Sequence, residues 1–183
     1  MSSRHLRRTR IGAPELPMFP FDLADVLGRV RAGFPELSSV KVTIWVQSQP
    51  TLACIESEHS EAVIRLHAVL NHPDTPEEVI AFVLCHELLH WVIPPREIQG
   101  RVVVHPAEFW TAERERAPNR SLAWGWMYVV LRECLKKDEE RECTFVKANW
   151  KRLMNERRPS LAEVSELLQG DVRLAEEMRE PLL

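Results

Sequence analysis

Residues 86–90 read HELLH, two histidines four apart with a glutamate directly after the first. Residues four apart on a helix share one face, so His86 and His90 can grip a single divalent ion together. Glu87 is turned by roughly 100° around the helix axis from His86. From there a carboxylate can reach a water on the ion without taking a coordination place. A metal brings the pKa of such a water to around 7, and a carboxylate that removes its proton leaves a nucleophile suited to a carbonyl. The same five-residue pattern also occurs in helices that bind nothing, so the surroundings decide. The preceding residues 79–85, VIAFVLC, are apolar. Two imidazoles and a carboxylate at the end of such a run are costly to bury unless they have partners.

A third ligand is available downstream. His105 follows His90 by 15 residues, after Pro94–Pro95 and a short connector, at the start of the segment HPAEFW. A neutral imidazole suits that place, because the dipole at a helix N-terminus disfavours imidazolium. Glu108, Glu113 and Glu115 compete for the role, although Arg114 and Arg116 make the last two read as a solvated charge run. Tyr128, the single tyrosine, could steady an oxyanion, although a tyrosine within WGWMYVV more commonly packs. Trp91, Phe109 and Trp110 read as packing around the ligands, Cys85 as a core thiol, and His59, His67 and His72 as solvated or structural.

These residues need a scaffold. Thr75-Pro76-Glu77-Glu78 reads as a helix start with Thr75 as cap, and the helix should run to about Val92 before the two prolines. Strands are expected at 40–47 and 62–70, with a short one at 51–56. An amphipathic helix capped by Asp22 should precede them and end near Gly33. Residues 96–104 read as a connector or a short extended piece, 107–117 as a helix entered at Pro106, and 121–137 and 139–156 as further helices. A last helix at 160–178 opens with a capping box of Ser160 and Glu163. Its stripe of Leu161, Val164, Leu167 and Leu168 needs a surface to cover, and the cleft is one candidate.

The whole chain has 183 residues, 45% hydrophobic and 28% charged, with a formal net charge of −3. That fits one globular domain with helical additions and gives no general signal for nucleic acid. Residues 1–20 carry Arg4, Arg7, Arg8 and Arg10 and then Pro14, Pro17 and Pro20. They read as a flexible basic arm with at most a weak DNA contact. No apolar run approaches the roughly 20 residues of a membrane span, and the N-terminus lacks the apolar run of a secretory signal. Cys54, Cys85, Cys134 and Cys143 form no CxxC pair and read as reduced thiols of a cytoplasmic protein.

HELLHW followed by HPAEFW resembles the SprT-like and YgjP-like zinc metallopeptidases over about residues 62–112. The resemblance implies an α+β fold: a compact zincin-like domain whose small mixed sheet packs on the HExxH helix. It implies one Zn²⁺ held by His86, His90 and His105, with Glu87 as general base, acting on a peptide or protein substrate. It also implies that the strand at 62–67 lines the cleft, where an extended peptide could add by main-chain hydrogen bonds. The chain then divides into the arm at 1–20, a zincin-like core at 21–118 and a helical extension at 119–183 packed on it. No cysteine pair follows the core to build the zinc ribbon that many SprT relatives carry. The alternative is a zinc-binding, non-catalytic interaction module, DNA-associated through the arginine arm.

Overall fold

A computed structural model of the chain describes residues 15–138 and 142–170. It mixes α and β, with small sheets and several helices. Asp22 caps α1 (Leu23–Arg31) by accepting from the Ala24 N–H at 2.7 Å. Three strands follow: β1 (Lys41–Gln47), β2 (Ala53–Glu58) and β3 (Glu61–His67). β3 lies in the middle, parallel to β1 and antiparallel to β2, so the sheet is mixed with order β1-β3-β2. One face alternates Val42 and Val46 with Ala62, Ile64 and Leu66, all buried, as a half-covered sheet requires.

The covering element is α2 (Glu77–Val92). Val79, Ile80, Phe82, Val83, Leu84, Leu88 and Leu89 leave it apolar nearly all round, and a helix of that kind is buried. It packs against β2 on one side and against α1, α3 (Ala107–Arg116) and α4 (Arg120–Leu131) on the others. Its first turn differs from expectation. Pro76 is the cap residue, while the Thr75 hydroxyl donates to the Leu70 carbonyl at 2.8 Å and accepts from Arg158. The hydroxyl is thus turned towards Leu70 and Arg158, and no side chain caps the first turn of α2.

Residues 96–104 form a hairpin, β4 (Arg96–Ile98) with β5 (Arg101–Val103). Gln99 and Gly100 turn it at φ of 53° and 77°, the left-handed pair of a two-residue hairpin loop. The helix expected over 121–137 ends at Leu131, and its tail becomes β6 (Leu135–Asp138). The helix expected over 139–156 is replaced, within the described residues, by β7 (Cys143–Val146) and a 3₁₀ stretch, Ala148–Asn155. β6 and β7 pair antiparallel, and β7 continues along residues 50–52, where Leu52 N–H donates to the Thr144 carbonyl at 3.2 Å. Tertiary pairing here overrides local helical preference.

α5 (Leu161–Gly170) opens with the expected capping box, in which Ser160 N–H donates to Glu163 at 2.7 Å. Residues 171–178 of the helix read from sequence lie outside the described residues. α5 lays Val164 against α4 and takes no part in lining the cleft. Of the basic arm, residues 15–18 are pinned rather than flexible. Glu15 N–H donates to the Val46 carbonyl, and Asn71 bonds both Leu16 and Met18. The four arginines lie outside the described residues. The core is one cluster to which α4 contributes Ala123, Trp126, Met127 and Leu131. None of the four cysteines, all among the described residues, forms a disulfide, and no helix among the described residues is long and apolar enough to cross a membrane.

Candidate metal centre

The last two turns of α2 carry His86, Glu87 and His90. The segment between β5 and α3 brings His105 back to them. One ring nitrogen from each histidine lies within 4.8 Å of the other two. Ring centroids are 5.0, 5.1 and 4.9 Å apart for the pairs 86–90, 86–105 and 90–105, a nearly equilateral triangle. Phe109, fully buried, sits 4.6–5.0 Å from all three rings and closes one side of the triangle. The other side borders a cleft of 340 Å³, which Glu87 also lines.

The trio suits a divalent cation. His86 Nε2 and His105 Nε2 are 3.2 Å apart. Nitrogens ~2.0–2.1 Å from a tetrahedral ion stand roughly 3.3 Å from each other. Burial first, and then the neighbouring histidines, push His90 down to about 2 and His105 down to about 3. Both therefore offer lone pairs at any physiological pH. His90 Nδ1 is buried and has no hydrogen-bond partner among the described residues, an expensive arrangement in an apolar site. Among the described residues the group that could hold a metal comprises three histidines, the number of protein ligands in a catalytic zinc site.

Glu87 is 4% exposed, and burial pushes its carboxyl up to about 7 against the opposing pull of His86. The other acidic candidates fall elsewhere. Glu108 pairs with Arg96 on the surface, and Glu115 is exposed. Glu113 was expected on a solvated charge run. Instead it is wholly buried and stands 2.7 Å from His86 Nδ1, with its second oxygen bonded by Arg120 Nε. Burial alone would raise it, but His86 and then Arg120 outweigh that and hold it low. Its placement four residues after Phe109 shares one helix face, a signal the sequence does hold. Glu142 had no such signal. At φ 49° it turns back so that Oε2 accepts from the N–H groups of Val104 and His105, at 3.1 and 3.0 Å.

Tyr128 is not brought to the trio. It lies on α4 with the Arg132 guanidinium 5.4 Å from its ring, and it does not line the cleft. His67 is also away from it, packed edge-on against Trp150. Nor does β3 form the cleft wall, because it is the central strand. The wall is β2, through Ala53, Cys54, Ile55 and Ser57, faced by Trp91, Pro94 and Pro95. The reason is topological: the β2–β3 hairpin puts the earlier strand on the outside.

No known protein-family model matches the chain, and no solved structure matches it. An anhydro-N-acetylmuramic acid kinase of Synechococcus sp. (strain WH7803) is 31% identical over 84 residues, 46% of this chain and 20% of that protein. The chain thus spans a fifth of that relative's length.

Proposed function

We propose that the protein is a zinc-dependent peptidase of SprT-like type, with His86, His90 and His105 as metal ligands and Glu87 as general base. One observation carries the reading: three imidazoles converge from two segments, with a buried carboxylate beside them on the wall of an open cleft. The resemblance carried by HELLHW and HPAEFW points the same way. Zn²⁺ held by the trio would supply a Lewis acid, polarising a carbonyl and easing the loss of a proton from water. Glu87 takes that proton on a carboxylate oxygen as the water oxygen bonds to the peptide carbon. It then delivers the proton to the amide nitrogen as the C–N bond breaks. A base titrating near neutrality suits both transfers, and burial holds Glu87 there. The β2 edge facing the cleft offers backbone groups to an extended substrate, whose main chain it would hold by strand addition. Trp91, Pro94 and Pro95 shield the facing wall from water.

Glu87→Gln separates binding from chemistry. The variant should keep one zinc per chain by elemental analysis, while cleavage of a broad peptide panel falls by roughly 10²-fold or more. Equal cleavage by variant and wild type, or inertness of both with zinc bound, would remove the peptidase reading.

A further inference from the structure

We infer that Glu113 is the positioning residue of the trio and that Arg120 holds it, so the tautomer of His86 is set from α4 across three helices. This rests on the trio being a metal site, as proposed above, and adds two residues that the motif does not contain. Glu113 is 0% exposed, and a carboxylate so placed survives only with partners. It has two. Oε1 lies 2.7 Å from His86 Nδ1, and Oε2 accepts from Arg120 Nε. Arg120, at the first position of α4, stands with its guanidinium 5.8 Å from the Trp124 ring and keeps 23% of its side chain exposed.

A guanidinium only donates, so the carboxylate between it and His86 serves as an acceptor. That puts the imidazole proton of His86 on Nδ1. Nε2 is then left with a bare lone pair, and Nε2 is the nitrogen that faces His105. Only this tautomer can hold a cation inside the triangle. Glu142 does not do the same for His105. Its Oε2 is taken by two backbone N–H groups and is 3.6 Å from His105 Nδ1, beyond hydrogen-bond reach. Among the described residues His90 Nδ1 has no hydrogen-bond partner. The ordering of the trio therefore hangs on the Glu113–His86 bond. Loss of such an outer partner typically lowers metal affinity 10–100-fold.

The test is zinc affinity of the full chain, read by competition with a chromophoric chelator. Glu113→Gln should bind zinc about 10–100-fold more weakly. Arg120→Leu should lose affinity in the same direction but less, and Glu87→Gln should match wild type. In the metal-free wild type, ¹H–¹⁵N correlation of the imidazoles should show His86 protonated at Nδ1, with both tautomers populated in Glu113→Gln. A folded Glu113→Gln that binds zinc as tightly as wild type overturns the positioning role and leaves the metal site standing. Wild type that binds no zinc overturns both. Should Glu113→Gln fail to fold, Arg120→Leu and the wild-type tautomer decide. Unchanged affinity together with His86 protonated at Nε2 would overturn the inference.

Discussion

His105 and Glu108 lie three residues apart and were rivals for one coordination place, yet they have opposite surroundings. His105 is 8% exposed and Glu108 is ion-paired with Arg96 on the surface. His105→Ala should therefore abolish stoichiometric zinc, whereas Glu108→Ala should retain it, both read by elemental analysis after gel filtration. Zinc retained by His105→Ala at wild-type affinity would mean that the trio is not the site. The HELLH half of the centre was legible because its geometry is local: the helix itself sets the spacing of His86, Glu87 and His90. The third histidine of the cluster, His105, was legible too, since the Pro-Pro break lets the chain double back. Glu113 was misread because its meaning depends on which face of α3 meets α2, and its charged neighbours Arg114, Glu115 and Arg116 mask that face. Glu142 was invisible, because it acts through backbone amides 37 and 38 residues distant.

Elements whose residues choose for themselves came through, and elements chosen by a distant partner did not. α1 carries its own cap, and β1, β3 and α2 carry their own periodicity or apolar run. β6 and β7 exist because Leu135–Asp138 and Cys143–Val146 find each other, and no glycine or proline marks the turn, which Glu142 takes at φ 49° instead. The turn after β3 makes a testable case. His67 accepts the Val69 N–H on Nδ1 at 2.8 Å, and burial pushes it down to about 4. Its unfolded value is near 6.5. Between those values the unfolded chain binds more protons, so stability is full above about pH 6.5 and is lost as the pH falls towards 4. The loss attributable to His67 is on the order of 3–4 kcal/mol at most. His67→Asn keeps an acceptor for Val69 but cannot titrate. Denaturant unfolding at pH 7.5 and 4.5 should show a smaller pH dependence for it than for wild type. The other depressed histidines, His72, His90 and His105, are common to both proteins. Identical pH dependences would exclude His67 as a source of acid lability.

The described residues share one core cluster, and the histidine trio is built into it rather than appended. α2 supplies two of the three histidines and also touches the sheet, α1, α3 and α4. His105 enters through the segment fixed by Phe109, and Arg120 ties Glu113 to the start of α4. Residues beyond 119 therefore share the core with the site, and Trp126, wholly buried, donates from Nε1 to the Pro159 carbonyl at 2.7 Å. With so much shared packing, residues 15–170 should unfold in a single transition, with tryptophan fluorescence and far-UV circular dichroism reporting the same midpoint. Zinc should raise that midpoint by mass action. A ligand at about 100 times its Kd that binds only the native state adds ~2.7 kcal/mol. For a chain of this size that is roughly 5–10 °C. Chelation by EDTA should return the midpoint to the metal-free value, and His86→Ala should show no shift with or without zinc. The decisive comparison is between the two probes. If zinc moved only one of them, the ligands and the later helices would be unfolding separately, and the coupling of α4 to the centre would be lost with the shared core.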